Sequence, residues 1–493
     1  MAGQSQTITV AAGQLEARLM NEAPATLASI DAAIRRAAQL RVDLLVLPEC
    51  AYPAYLLGSA ESYRAGGHLT GEAYVRWLAE RARRYRLHVV SGFVEDGGDR
   101  LYNSAVLIDA RGREVGRARK RFLWHADHDW FEPGDDIRAM ETALGRIGIV
   151  ICAEARVPEI LATLAADGAE LIALPTCWIN HAREPGRYWN PQTEYLIEAR
   201  AREFGLPFVC ADKAGLELGA VGYVGQSRIV RADGSVAAEA PPTGEAVVAA
   251  RVRCRPGRKT WVSPSRRARL LRLDDSRPNH ESHQSRDRVG ADGGSEDTGA
   301  ARSASGSRRV VVAAMPTAAA NARYSGGMGE TLFEPLRERG VNLLLVNMAQ
   351  EAPAEQLAVL SRAFDIHALG FPTEAGVFDF GPARAGCVAG QWVRSFPACR
   401  DLALAGAEVL LLFDVPRDLA ILRARALENR VFVMGVADRW AVIIGPDGSV
   451  LARCDESEPA EVVAEIDLNE ALNKSVAPRT DIFAERRVHL YRF

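Results

Sequence analysis

A run of buried-strand character ending in a carboxylate, VDLLVLPE at residues 42–49, has a counterpart far down the chain in VNLLLVNM at 341–348. Four more pairs occur in the same order: RIGIVICAE (146–154) with RAGCVAGQW (384–392), DGAELIALPT (167–176) with AGAEVLLLFD (405–414), EARARE (198–203) with RARALE (423–428), and RADGSV (231–236) with GPDGSV (445–450). Spacing agrees too: sixteen residues separate Cys152 from Gly168, and sixteen separate Gly390 from Gly406. Ordered self-similarity of this kind constrains the fold more than any single motif, because both copies must bury the same faces. Each copy alternates apolar, β-rich runs with helical periodicity, which predicts a layered α/β architecture built twice. In the first copy helices are expected at 26–40, 71–85, 156–167 and 193–204, with a hairpin around the Asp233-Gly234 turn. The second copy is shorter. Glu49 to Cys152 spans 103 residues and Met348 to Gly390 only 42, a deficit large enough for two strands and a loop.

The segment 274–309 breaks the pattern. It has no aromatic residue and one branched aliphatic, Val289, so it cannot bury enough apolar area to offset its ordering entropy. This predicts a first domain over 1–270, a flexible linker over 271–309 and a second domain over 310–493. A net charge of −3, from 60 basic and 63 acidic side chains, argues against nucleic acid or a membrane surface as partner. The polar N-terminus and the lack of a long apolar run predict neither a signal peptide nor a transmembrane helix. Eight cysteines without CxxC spacing suggest free thiols in a reducing cytoplasm rather than a disulfide framework or a zinc site.

Three residues of the first copy carry chemical potential. Glu49 and Cys152 each end an apolar strand, where side chains of α/β sheets face the ligand crevice. Cys152 also precedes a helix, a setting that favours thiolate. Lys120 lies in RARKRFLWHADHDWFEPGDD and is one of only four lysines in the chain, with Lys213, Lys259 and Lys474. Taken singly, each residue has a bland reading: a core thiol, a turn carboxylate, a solvated basic face. The cluster His125, Asp127, His128 and Asp129 also admits a reading as metal ligands, although neighbours on one loop rarely converge on one ion.

Together these motifs resemble the nitrilase, or carbon–nitrogen hydrolase, superfamily over roughly residues 7–252. The resemblance rests on LVLPE at Glu49, RKRFL at Lys120 and GIVIC at Cys152. It is supported by Tyr102-Asn103-Ser104, the WFEPGD run at 130–135, Pro158-Glu159 and ARARE at 199–203. It implies a nitrilase-type α-β-β-α sandwich, here a tandem duplication with a truncated second copy. It also implies a Glu49-Lys120-Cys152 triad. Cys152 would attack the carbon of a C–N group to form a thioester, and Glu49 would move protons. Lys120, with the backbone N–H of Ala153, would hold the oxyanion. No metal or organic cofactor is required. Many members carry a second glutamate seven or eight residues after the lysine. Asp127 and His128 stand there, Asp127 in the better register. Trp178, Tyr188, Trp189 and Tyr195 come after the next strand, where family pockets gain specificity, and compete with a plain packing role.

Arg156-Val157-Pro158-Glu159 after the nucleophile favours a linear amide or N-carbamoyl substrate with release of ammonia, whereas Glu154 is ambiguous. A nitrile substrate, acyl transfer to an amine, and a noncatalytic scaffold are the alternatives. The second copy has Met348 in place of Glu49 and Gly390 in place of Cys152, and its one lysine, Lys474, lies outside the motif. It is expected to be noncatalytic and to pack on the first copy as a pseudo-subunit in cis, with higher oligomers open.

Overall fold

The computed structural model describes residues 6–182, 184–272, 307–324, 330–347, 361–369 and 376–493. Met348 and nearly all of the expected linker lie outside the described residues.

Two sheets form the first unit. One runs in the order Val221–Val224, Lys213–Glu217, Gln6–Glu16, Leu44–Val46, His88–Asp96, Leu101–Ile108, Glu114–Arg119, and Ala246–Cys254 also pairs with Gln6–Glu16. The other runs Val236–Glu239, Arg228–Val230, Phe208–Ala211, Leu171–Pro175, Gly145–Ile149, Ala139–Thr142. Strand alternation assigns the layers. Val10, Ala12, Leu44 and Val46 face Ile147, Ile149 and Phe208 of the second sheet, whereas Ala11, Leu45 and Leu47 face Ile30, Ile34, Tyr74 and Leu78 of two helices. Those helices are Ala23–Gln39 and Gly71–Tyr85; Pro158–Ala166 and Ile197–Phe204 cover the other side. The result is the α-β-β-α sandwich. VDLLVLPE reads as unbroken apolar sequence because its strand is buried on both faces.

Several expectations shift in detail. The helix expected at 156–167 starts at Pro158, because Val157, preceding a proline, is held extended (φ −102°, ψ 93°). A short 3₁₀ turn, Cys152–Arg156, precedes it. The helix expected from residue 193 opens as a π turn, Gln192–Leu196. In the closing hairpin, Val221–Val224 leaves its neighbours to pair with Lys213–Glu217 in the other sheet. The strand Ala246–Cys254 is an addition to the expected elements; it pairs antiparallel along the whole of Gln6–Gln14.

The second unit has the same strand order with fewer strands. Its sheets run His367–Leu369, Leu343–Val346, Arg309–Met315, Val462–Asp467, and Val377–Phe380, Ala383–Ala389, Val409–Phe413, Phe432–Val436, Ala441–Ile444, Val450–Arg453. Parallel and antiparallel pairings match those of the first unit, and the last hairpin of each carries a register shift, at Ile229/Val230 and at Ile443/Ile444. Among the described residues, nothing corresponds to Leu101–Ile108 and Glu114–Arg119, the two strands leading to Lys120.

The units meet through paired helices. Tyr195, Leu196 and Ala199 pack against Ile421, Ala424 and Leu427 of the helix Leu419–Asn429. Around them lies a reciprocal set of buried ion pairs: Arg200–Glu428 at 2.7 Å, Arg425–Glu203 at 2.8 Å, Arg200–Glu203 at 2.9 Å, and Arg425–Glu428. Arg400 reaches Glu159 at 3.0 Å. Buried pairs add little net stability relative to apolar packing, but removing one partner strands a charge, at a cost of about 3–5 kcal/mol. Glu428→Ala leaves Arg200 and Arg425 short of a carboxylate. It is expected to destabilise the chain by about that amount, read as a lower denaturation midpoint in urea; an unchanged midpoint would show that the network contributes nothing.

Candidate active site

Glu49 lies just beyond the strand Leu44–Val46 and is fully buried. Its backbone N–H donates to Thr176 O at 3.2 Å, which ties the first sheet to the second where the site lies. The strand His88–Asp96 passes this turn so closely that a Cβ on Gly92 would lie 2.4 Å from Pro48 O and 2.7 Å from the Glu49 Cα. Only glycine fits there. Lys120 directly succeeds the strand Glu114–Arg119, and Cys152 comes shortly after Gly145–Ile149. Cys152 adopts φ +49°, a left-handed conformation that costs a non-glycine residue energy and clusters at functional sites.

The three side chains line one cavity. The Lys120 ammonium sits between two carboxylates, 2.6 Å from Glu49 and 2.6 Å from Asp127. Glu49 also accepts from Asn103 Nδ2 at 2.7 Å and from the Cys177 thiol at 2.8 Å. Asp127 accepts from the Tyr55 hydroxyl at 3.0 Å and from Trp124 N at 2.8 Å. Burial pulls the Lys120 pKa down, but Asp127 and Glu49 outweigh it and hold the lysine well above its ordinary value. Burial pushes Glu49 up; Lys120 and the donated hydrogen bonds more than offset this and leave it below the usual range. Asp127 stays raised, because its burial is the larger effect. The lysine is therefore a permanently charged centre.

Glu154, ambiguous in sequence, is structural glue. It accepts from Ile151 N at 2.7 Å, from Arg121 N at 2.6 Å and from Arg121 Nη2 at 2.8 Å, linking the residue after Lys120 to the residue before Cys152. With its amide nitrogen turned toward Cys152, Gln192 donates to Cys152 O at 3.0 Å and accepts from Trp178 Nε1 at 2.9 Å.

Of the residues expected at the site, Glu49, Lys120, Cys152, Ala153 and Trp178 line the cavity, and Asp127 touches Lys120. His128, Tyr188, Trp189 and Tyr195 are not among the cavity's lining residues. Trp189 bonds Glu194 and packs edge-on to His181. Tyr188 packs against the main core, and Tyr195 is drawn into the contact between units with the Arg423 guanidinium 3.9 Å from its ring. Residues that sequence reasoning misses are Cys177, Tyr55 and Asn103, while Arg156 of the quoted Arg-x-Pro-Glu run also lines the cavity. Asn103 belongs to the quoted Tyr-Asn-Ser motif, whereas Cys177 and Tyr55 carry no local signal. The 125–129 cluster does not converge as metal ligands: Asp127 faces Lys120, and Asp129 pairs with Arg479 of the second unit at 2.8 Å. Glu49, Cys152 and Cys177 do bring ligand atoms within 4.8 Å of one another. A dication there would compete with the ammonium already on Glu49.

These features define a cysteine-centred α/β site. The family described as Carbon-nitrogen hydrolase matches residues 9–257 and 392–472, and the chain belongs to that family, as a hydrolase of non-peptide carbon–nitrogen bonds. It is 30% identical to a nitrilase of Pyrococcus abyssi over 44% of this chain and 80% of that protein. It is 25% identical to an N-carbamoylputrescine amidase of Solanum tuberosum over 56% of this chain and 99% of that one. An (R)-stereoselective amidase of Pseudomonas sp. is 31% identical over 40% of this chain and 69% of its own length. Among solved structures, a carbon-nitrogen hydrolase from Helicobacter pylori G27 is similar at 21% identity and a TM-score of 0.45, covering 50% of this chain and 89% of that one.

Replacing Gly92 by alanine drives a methyl into the Glu49 turn. Gly92→Ala is expected to cut activity by about tenfold or more through displacement of Glu49, since roughly 1.4 kcal/mol of lost positioning gives that factor. Steady-state kinetics beside circular dichroism checks it; a folded variant with full activity would show that the turn tolerates the methyl.

Proposed function

We propose that the protein is a cysteine-dependent amidohydrolase cleaving a linear amide or N-carbamoyl C–N bond. The observation that carries this is the convergence of Glu49, Lys120 and Cys152 on one cavity, with the Cys152 sulfur within 4.8 Å of a Glu49 carboxylate oxygen. Cys152 passes its thiol proton to Glu49 as sulfur bonds the carbonyl carbon, and the carbonyl oxygen becomes an oxyanion beside the Lys120 ammonium. Collapse expels ammonia or an amine, which takes the proton from Glu49, and leaves a thioester. Water, deprotonated by Glu49, then attacks the thioester; the acid leaves and Cys152 regains a proton. Asp127 orients Lys120 throughout. A planar guanidinium would not fit between two carboxylates already 2.6 Å from a compact ammonium.

Ammonia release over a panel of amides, N-carbamoyl amines and nitriles tests this reading. Cys152→Ala is expected to lose activity by at least about 10³-fold, and Lys120→Arg by about 10²-fold or more, with the fold intact. Retained turnover in Cys152→Ala would refute the nucleophile, and preferential turnover of nitriles would refute the substrate class.

The second unit is proposed to be noncatalytic and to serve as a pseudo-subunit in cis. Gly390 stands in place of Cys152 at φ +57°, so the turn is kept without the thiol. Lys474 donates to the carbonyls of Asn429 and Arg430 at 3.1 and 2.9 Å. Thr480 accepts from His125 N at 2.9 Å, so this unit braces the loop that carries Asp127. Deleting 310–493 bares Tyr195, Arg200 and Glu159 and is expected to yield an insoluble or inactive fragment. A soluble, fully active fragment with unchanged oligomeric state, measured by light scattering, would overturn the proposal.

A further inference from the structure

A second thiol stands beside the nucleophile and has no use in the chemistry above. Cys177 lines the same cavity as Cys152 and is 4% exposed, against 8% for Cys152. The two sulfurs and a Glu49 carboxylate oxygen all lie within 4.8 Å of one another. Of the chain's eight cysteines, these two and no other line that cavity.

The backbone explains the pairing. Gly145–Ile149 and Leu171–Pro175 are parallel neighbours with Ile149 opposite Ala173, and Val150 N donates to Ala173 O at 3.1 Å. Carried three residues further, that register sets Cys152 beside Thr176, next to Cys177. Neighbouring strands run about 4.8 Å apart, and the Cα atoms of a disulfide lie about 4.4–6.8 Å apart. A bond between the two sulfurs is therefore within reach of side-chain rotation at the strand ends.

Glu49 serves both thiols. Cys177 already donates to its Oε2 at 2.8 Å, while Lys120 holds Oε1 at 2.6 Å. Burial, together with a hydrogen bond to the Cys152 sulfur, pushes the Cys177 thiol well up, so at rest it keeps its proton. It becomes a nucleophile only when that proton passes to a base, and the Glu49 carboxylate stands in place to take it.

We propose that Cys152 and Cys177 form a modification site for hydroperoxides, at which oxidation joins the two thiols in a reversible disulfide. The Cys152 sulfur attacks one oxygen of hydrogen peroxide. The O–O bond breaks, the other oxygen leaves as water with the thiol proton, and Cys152 carries a sulfenic acid. Cys177 then gives its proton to Glu49, and its sulfur bonds that of Cys152. The S–O bond breaks; the oxygen leaves beside the Lys120 ammonium as hydroxide and takes the proton from Glu49 to become water. Each sulfur has lost one electron and the peroxide has gained two. A small thiol reverses the bond by exchange. The disulfide occupies the nucleophile and removes a donor from Glu49, so the oxidised enzyme is inactive. Without Cys177 the sulfenic acid has no neighbouring thiol to condense with and goes on to sulfinic acid, which thiols do not reduce. The inference goes beyond the amidohydrolase reading and takes from it only the activity readout.

The test uses the reduced full chain, treated with hydrogen peroxide in the absence of substrate, and each protein is compared with its own untreated sample. Wild type is expected to lose about 2 Da, to yield a linked Cys152–Cys177 peptide pair on digestion, and to regain its activity with dithiothreitol. Cys177→Ala is expected to gain about 32 Da on Cys152 at the same dose and to recover at least about tenfold less of its activity. Oxidised wild type without the linked pair, or equal recovery in Cys177→Ala, would overturn the proposal. Should Cys177→Ala fail to fold, the peptide map of wild type decides the question alone. That map needs no turnover: a wild type inert on every C–N substrate yet forming the pair sinks the amidohydrolase reading and leaves the modification site standing.

Discussion

The buried Lys120 ammonium, held at 2.6 Å from both Glu49 and Asp127, is the interaction on which the first unit is arranged. A cation with no solvent must be matched by anions, and those anions must come from fixed backbone. Glu49 is fixed by the Thr176 bond and by the absence of a side chain at Gly92. Asp127 is fixed by Tyr55, by Trp124 and by the Thr480 and Arg479 contacts to its loop from the second unit. Lys120 itself donates its backbone N–H to Asn103 O and accepts from Gly134 N, so the Tyr-Asn-Ser and WFEPGD motifs both act as its frame. Motifs far apart in sequence serve one ion.

The rarity of lysine takes on meaning in this light. Lys213 is buried and reaches Glu217 at 3.2 Å, and Glu217 in turn accepts from Tyr55 N and Leu56 N, on the same residue whose hydroxyl bonds Asp127 and on its neighbour. Lys474 caps carbonyls at the end of the helix Leu419–Asn429. Lys259 is exposed. Three of the four lysines thus occupy tight sites where a compact ammonium serves, and arginine supplies the broader forks between units.

Much of this is legible in the chain because strand ends announce themselves. An apolar run that stops at Glu49 or Cys152 fixes both the strand and the crevice side of its last residue. The helix over Gly71–Tyr85 is readable to its ends from periodicity and from Thr70, whose side chain caps it. The illegible part depends on neighbours in space. Cys177 matters only because Leu171–Pro175 lies beside Gly145–Ile149, a pairing no local window contains. Tyr195 has the aromatic character of a pocket residue, yet the second unit claims it for the interface. Ala246–Cys254 begins as an apolar run, ends in an alternation of Arg251, Val252 and Arg253, and escapes notice until Gln6–Glu16 offers it a ladder.

The second unit repeats this strand order with different residues at the strand ends. Among its described residues the second unit has no counterpart of the strands that lead to Lys120, and a glycine, not a thiol, starts Gly390–Arg394. The 3₁₀ turn persists there with φ +57°, now on a glycine, whereas Cys152 holds φ +49° as a non-glycine residue in the first unit. Left-handed backbone at Cys152 is therefore retained against its cost, and the relaxed copy beside it shows the less strained solution the same fold permits. The paired helices face a different constraint, since each unit must cover the other's ends. Glu203 and Arg200 are answered by Arg425 and Glu428, and the ARARE and RARALE motifs remain alike although only one copy keeps Cys152 and Lys120. The likeness between the two units thus extends to the helices by which they touch.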